Sequence, residues 1–147
     1  MISAISTILL SRVNYSLESE GGSNMRVSRF YDTVAFDVRD AAPMLFFAST
    51  SSAGDIDDYL LIMRTEKDDL GNEIVLEINE QQLPGSEMIS EVRMSGNMLT
   101  LIFHEKVRAL EGASQMVLTF EDSPENRTSI EAGIFRVLGE KLCGGRA

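Results

Sequence analysis

The stretch from Asp58 to Phe120 constrains the fold most strongly, because its segments have strand length and short turn sequences separate them. Residues at alternate positions of a strand face opposite sides of a sheet. The pattern therefore predicts strands that follow one another through tight turns. We expect one antiparallel sheet over this stretch.

Within it, the segment from Tyr59 to Met63 is apolar at every position. That is typical of a strand covered on both faces, so we place it at the centre of the sheet. The next strand has Ile74, Leu76 and Ile78 on one face, and Gly71 or Asn72 supplies the positive φ of the turn between the two.

Further strands are predicted on both sides of this pair. The clearest hairpin joins Met88–Met94 to Met98–Phe103 through a Ser-Gly-Asn turn. Before the central strand, Phe30–Val38 alternates like a half-buried strand, with Asp32 breaking the pattern, and Met44–Ala48 is long enough for one more.

Two helices are expected towards the C-terminus. His104–Glu111 has the pattern of a short helix that ends before Gly112. Asp122–Glu125 is typical of a helix start, followed by an apolar stripe at Ile130, Ile134, Val137 and Leu138. The sequence thus predicts an α+β fold: a mainly antiparallel sheet, a short helix before the last strand and a C-terminal helix packed on the sheet.

The length of 147 residues suits one domain. We assign residues 25–147 to a single α+β domain and residues 1–24 to an N-terminal extension. The spacing of apolar residues in 2–17 leaves a helix, an edge strand and a hairpin arm open. A Gly- and Ser-rich loop follows, and Met25 directly after it is an alternative start.

The N-terminus and the cysteine content indicate a cytoplasmic protein. Met1–Leu10 lacks the basic region and exit site of a signal peptide, and no apolar run reaches the ~20 residues that cross a bilayer. Cys143 is the one cysteine, so neither an internal disulfide nor a structural zinc site is expected.

The formal net charge of −10 limits the classes of partner. Phosphate binding needs clustered Lys and Arg, so nucleic acid is not expected as the direct partner. A basic protein fits, because complementary charge speeds encounter and selects the partner. The alternative is that the charge only keeps the protein soluble.

No residues combine into a recognisable catalytic or metal site. His104 is the only histidine and has no nucleophile beside it in a known motif, so we expect no enzymatic activity. Asp55, Asp57 and Asp58 lack the glycine and distal glutamate of a calcium loop. We expect no metal and no cofactor.

The acidic turns are instead candidates for a partner-binding surface. Two clusters of acidic residues lie at opposite ends of the central strand. Polar side chains of the next strand are expected to point towards water. The candidate partner-binding residues are Asp55, Asp57, Asp58, Glu66, Asp68, Asp69, Glu77 and Asn79.

The order of these segments resembles the tenth immunity-protein family of bacterial polymorphic toxin systems. Tyr59–Arg64 corresponds to a "YLLLQR"-like strand, Val75–Gln81 to a "YVEINDQ"-like strand, and Ile89–Phe103 to the following hairpin. Ala109–Gly112 and Val117–Glu121 occupy the places of a Leu-Gly segment and an "IxFxL"-like strand, and Ile130–Leu138 that of a C-terminal helix. Gly85–Met88 departs from the family pattern, where a Tyr-x-Gly-Gly-like loop is expected.

The resemblance implies an antitoxin that binds a cognate bacterial toxin domain and blocks it by occlusion. The acidic composition fits a basic toxin such as a nuclease. A secretion-type chaperone is the alternative, which a firm amphipathic helix in residues 2–17 would favour. A small enzyme is less favoured, because no paired base and nucleophile can be named.

Overall fold

The computed structural model describes residues 25–67 and 71–142, which form two β-sheets and a C-terminal helix. The strands are β1 (Arg26–Tyr31), β2 (Thr33–Arg39), β3 (Ala42–Thr50), β4 (Ile56–Lys67), β5 (Gly71–Ile78), β6 (Gln81–Pro84), β7 (Ile89–Ser95), β8 (Met98–Val107) and β9 (Ala113–Phe120). The helices are α1 (Gly85–Met88) and α2 (Pro124–Leu138), with 3-10 turns at Arg108–Leu110 and Gly139–Lys141. The predictions for residues 1–24 and Cys143 lie outside the described residues.

One sheet has four strands in the order β1-β9-β8-β7, and the other has five in the order β2-β3-β4-β5-β6. Neighbouring strands are antiparallel, apart from the parallel pair β1 and β9. The predicted α+β class is confirmed. The prediction of a single sheet from Asp58 to Phe120 is wrong, because this stretch divides between the two sheets at α1.

Gly85 marks the point where the chain leaves the five-stranded sheet. A Cβ atom there would lie 2.8 Å from Ile74 Cγ2 and 2.9 Å from the Ile74 carbonyl oxygen. Only glycine allows so close an approach to β5. The Ser86 hydroxyl accepts the Ile74 N–H at 2.6 Å, which satisfies a backbone group at the end of the ladder.

Asp32 marks the other crossing between the sheets. The segment Phe30–Val38 is two strands rather than one, with β1 and β2 in different sheets. The Asp32 carboxylate accepts the Thr50 N–H at 2.9 Å, and its own N–H donates to the Ala48 carbonyl at 3.0 Å. The polar residue that breaks the alternation therefore separates two strands.

The segment His104–Glu111 is mostly strand, and the helix predicted there is a single 3-10 turn. Strand β8 continues to Val107, and the helical residues are Arg108–Leu110. Val107 and Leu110 are both buried, as an inward helix face would be. Glu111 and Gly112, with φ of 57° and 82°, then reverse the chain.

The core lies between the inner faces of the two sheets and α2. The Phe47 ring of β3 lies 6.1 Å from Tyr31 of β1 and 6.5 Å from Phe120 of β9. Fully buried residues include Leu45, Leu60, Ile62, Leu76, Leu99, Leu101, Met116, Leu118, Val137 and Leu138. Among the described residues, no helix is both long and apolar enough to cross a membrane.

Helix α2 begins as the sequence predicts. The Ser123 hydroxyl caps it by accepting the Asn126 N–H at 3.1 Å, and Pro124 occupies the first turn. Gly133 lets the helix approach the Phe36 ring, where a Cβ atom would clash. The helix is thereby held on the inner side of the five-stranded sheet.

Candidate functional site

Strand β4 presents two faces of different character. Leu60 and Ile62 are fully buried on the inner side, whereas Tyr59, Leu61 and Met63 are half-buried on the opposite side. Its central position, third of five strands, is confirmed, but the predicted cover on both faces is wrong for the described residues, because one side of the strand is only half-buried. Among the described elements, β1, β9, α1 and α2 pack on this sheet through inner residues such as Phe36, Phe47 and Ile74.

Apolar side chains continue across the neighbouring strands on the opposite side. Phe46 of β3 pairs with Leu61, which pairs with Glu77 of β5. In the next row, Met44 pairs with Met63, which pairs with Val75. We call this surface the outer face; its half-buried apolar residues are Met44, Phe46, Tyr59, Leu61, Met63 and Val75.

Carboxylates surround the apolar centre of the outer face. They are Asp37, Asp57, Glu73, Glu77 and Glu80. Arg39 lies beside them, and its Nε lies 3.0 Å from Asp37 Oδ2, with both side chains exposed. The hydrogen bond from Arg39 lowers the Asp37 pKa. An apolar area with a charged rim is the usual anatomy of a protein interface.

Tyr59 is fixed at one end of the outer face. Its hydroxyl donates to Glu77 Oε2 at 2.5 Å and accepts the Glu80 N–H at 2.9 Å. The bond to Glu77 stabilises the protonated phenol and raises the Tyr59 pKa. Asn79 and Glu80, with φ of 47° and 75°, form the tight turn between β5 and β6 that brings Glu80 there.

A depression of about 370 Å³ opens beside this tyrosine. We call it the Tyr59 pocket; it is lined by Phe46, Ile56, Asp57, Tyr59, Asn79 and Glu80. The Phe46 and Tyr59 ring centroids lie 5.5 Å apart, with planes inclined by 33°. Asp57 Oδ2 is shielded from solvent and has no hydrogen-bond partner. The pocket thus combines aromatic walls with carboxylates.

Asp58, the next residue, lies on the other side of the strand and is 3% exposed. Both its oxygens lie 3.3 Å from Arg29 Nη1 of β1, and Oδ1 accepts the Asn79 side-chain N–H at 2.7 Å. Its carboxylate therefore joins the two sheets. Asp58 is not presented to a partner, and we remove it from the candidate surface.

The buried group around Asp58 also includes Tyr31, which is fully buried. Burial, with the Asp58 charge second, raises the Tyr31 pKa. Burial by itself would lower the pKa of Arg29, but the neighbouring Tyr31 and Asp58 raise it. The Tyr31 hydroxyl and Arg29 Nε are both buried, and neither atom has a hydrogen-bond partner.

The remaining predicted residues divide between the outer face and other places. Glu77 lies on the outer face, and Asp55 is exposed in the loop before β4. Asn79 is exposed, but its side-chain oxygen accepts the Tyr59 N–H at 2.8 Å. Glu66 is described only by its position in β4, and Asp68 and Asp69 lie outside the described residues.

Two structural residues were not identified from the sequence. Arg64 is 6% exposed; its Nε donates to the Val137 carbonyl at 3.1 Å and its Nη2 to Glu140 at 2.5 Å. It neutralises the negative C-terminal end of α2. The sequence does contain a signal for this: Arg64 lies at the same alternate positions of the strand as Leu60 and Ile62, which face the core.

Asn126 is the second such residue and is 4% exposed. Its amide nitrogen donates to the carbonyls of Asp32 and Glu121, and its oxygen accepts the Val34 N–H at 2.9 Å. This side chain ties the start of α2 to the crossing between β1 and β2. Asn126, Arg127 and Thr128 also match a glycosylation sequence, but the amide nitrogen that would be modified is enclosed by these hydrogen bonds.

Groups that could carry chemistry are dispersed in the described part of the chain. His104 is exposed on β8, in the sheet opposite the outer face. Within residues 25–67 and 71–142, no group of three or more His, Cys, Asp or Glu side chains could hold a metal ion. Comparison of the chain with protein-family models, curated proteins and solved structures gives no significant match.

Proposed function

We propose that this protein is an immunity protein that binds a basic toxin domain through the outer face and blocks it by occlusion. The observation that carries the proposal is the outer face itself. Half-buried apolar side chains form its centre, and five carboxylates surround them, one of which, Asp37, is paired with Arg39. Such a surface favours a partner with an apolar centre and a basic rim.

The two parts of the outer face have different tasks in this proposal. Burial of Phe46, Leu61 and Met63 against a partner supplies affinity, at roughly 25 cal/mol for each Å² of apolar surface removed from water. The carboxylates steer a basic partner and exclude acidic ones. A nuclease blocked in this way loses access to its substrate, because the cations that bind phosphate are paired with carboxylates.

The family resemblance supports the same proposal independently of the surface. Its two most distinctive motifs, Tyr59–Arg64 and Val75–Gln81, lie in β4 and in β5 with the start of β6. These strands pair side by side and contribute Tyr59, Leu61 and Met63 to the outer face. In this proposal, the protein acts in the cytoplasm, without a cofactor and without catalysing a reaction.

Co-expression with the toxin encoded by the neighbouring gene tests the proposal. We expect a 1:1 complex on size-exclusion chromatography and restored growth of the host. Leu61→Arg places a charge in the apolar centre and should abolish both. Val117→Arg, a half-buried position on the central strand β9 of the other sheet, is the matched control and should retain both.

Two results would count against the proposal. One is the absence of a toxin gene beside the coding sequence together with no co-purifying partner from the host. The other is a complex that survives Leu61→Arg but is lost with Val117→Arg, which would place the interface on the four-stranded sheet.

A further inference from the structure

We infer that the Tyr59 pocket receives an arginine side chain of the basic partner, an inference that rests on the proposed function. The pocket lies at the end of the outer face, where Phe46 and Tyr59 continue the apolar centre. An arginine there would extend the contact beyond the apolar area. The pocket thereby becomes the specificity-determining part of the surface.

Its aromatic walls suit a guanidinium group. The rings of Phe46 and Tyr59 lie 5.5 Å apart, are inclined by 33°, and both line the depression. Arginine stacks on such rings through its planar, weakly hydrated head group. A lysine ammonium holds its water more tightly and gains less at this site.

The tyrosine ring is held in place before any partner binds. Its hydroxyl is fixed from both sides, by Glu77 and by the Glu80 N–H. Asn79 accepts the Tyr59 backbone N–H and donates to the buried Asp58. A ring that is already ordered loses little conformational entropy on binding, which favours affinity.

Asp57 is the carboxylate best placed to pair with the guanidinium. Asp37 already pairs with Arg39, Glu77 already accepts the tyrosine hydroxyl, and Glu80, the other carboxylate that lines the pocket, is exposed to solvent. Asp57 has one oxygen that is shielded from solvent and unpaired. A carboxylate that has already lost part of its hydration has a smaller desolvation cost when a cation approaches. Its ion pair with a guanidinium group should therefore contribute more to binding than the ion pair of an exposed acid.

A second depression of the described surface has a different chemistry. It measures about 400 Å³ and lies between α2 and the β7–β8 hairpin. Its lining is mainly apolar, includes Phe135 and Ile130, and contains the cation Arg127 beside Glu131. Because the cation Arg127 lines this depression, it suits a guanidinium group less well than the Tyr59 pocket does.

Titration with hexa-arginine and hexa-lysine peptides, followed by backbone amide chemical shifts, tests the inference. We expect hexa-arginine to shift the amides of Asp57, Tyr59 and Glu80 and to bind about fivefold more tightly than hexa-lysine, as cation–π and ion-pair contributions of this kind imply. Asp57→Asn and Phe46→Leu should each remove most of that preference. Glu105→Gln, an exposed acid on β8, changes the charge equally and should preserve it.

Two outcomes would overturn the inference without touching the proposed function. One is equal affinity for the two peptides, or an equal loss of the preference for hexa-arginine in Asp57→Asn and Glu105→Gln. Either result would indicate diffuse electrostatic attraction instead of a defined site. The other is a set of shifts confined to Leu61, Met63 and Val75, which would place the basic chain on the outer face but outside the pocket. The co-expression experiment fails or succeeds separately from both.

Discussion

Asp57 and Asp58 are neighbours in β4, have the same side chain, and lie in opposite environments. Asp58 faces the core, where Arg29 and Asn79 occupy its oxygens. Asp57 faces the other way and lines the Tyr59 pocket with an unpaired oxygen. The comparison separates two uses of charge: one holds the sheets together, and the other is left for a partner.

The same division extends along the strand. Arg64, also on the inner side, donates to the end of α2 and to Glu140. On the outer side, Glu73 and Asp57 surround half-buried apolar residues such as Leu61. Inner charges should therefore control stability, whereas outer charges should control association.

The largest expected difference is between Asp58→Ala and Asp57→Ala. Loss of Asp58 leaves Arg29 in the interior without its carboxylate, so the free energy of unfolding should fall by about 3–5 kcal/mol. Loss of Asp57 should cost less than about 1 kcal/mol. Urea unfolding of both variants measures this, and equal losses would contradict the division between the two faces.

Arg64→Met comes next in size. It removes two hydrogen bonds at the C-terminal end of α2 while keeping much of the side-chain volume, so we expect a loss of about 2–3 kcal/mol. Arg64→Lys keeps the charge but cannot make both contacts. In urea unfolding, its free energy of unfolding should lie between those of the original protein and Arg64→Met. A loss below about 0.5 kcal/mol for Arg64→Met would show that the buried contacts contribute little net stability.

The local elements of this fold could be predicted from the sequence, but their division between two sheets could not. A continuous apolar run located β4, alternation located β5 and the β7–β8 hairpin, and capping residues located the start of α2. The partnership of β1 with β9 joins residues about ninety positions apart, and no local pattern specifies such a pairing. Short-range signals marked the crossings at Asp32 and Gly85 only as breaks.

Asn79→Gly tests the link between the two faces. Glycine accepts the φ of 47° but removes the bonds to Asp58 and to the Tyr59 N–H. We expect a loss of about 1–2 kcal/mol in urea unfolding, together with weaker binding of hexa-arginine. Unchanged binding with reduced stability would show that the turn does not position the Tyr59 ring.

Tyr31→Phe should have the smallest effect at neutral pH, within about 1 kcal/mol, because the hydroxyl is buried without a hydrogen bond. The folded protein keeps the Tyr31 proton to higher pH than the unfolded chain, whose tyrosines titrate near roughly pH 10. The folded state therefore binds more protons above that pH, and stability falls as pH rises. Unfolding curves from about pH 8 to 11 should show a shallower alkaline decline in Tyr31→Phe; identical declines would remove Tyr31 as a cause.

The candidate surface shows a second limit of sequence reasoning. Tyr59–Met63 is apolar at every position, so the sequence pattern could not identify which set of alternate residues of β4 faces the core. It therefore could not assign Asp57 and Asp58 to different sides of the strand. The register with β3 shifts between Ser49 and Thr50, directly opposite these two residues. Only the packing of Leu60 and Ile62 against the rest of the core decides the question.

Association kinetics with the co-expressed toxin test the central claim most directly. Asp57→Lys/Glu73→Lys/Glu77→Lys reverses three outer-face charges, and Glu105→Lys/Glu121→Lys/Glu125→Lys reverses three exposed charges elsewhere. Both change the net charge by the same amount. We expect the outer-face variant to associate at least about tenfold more slowly at low salt and with a weaker salt dependence, while the control stays close to the original rate. Equal slowing of both variants would show that net charge alone drives the encounter, and would contradict a recognition role for the outer face.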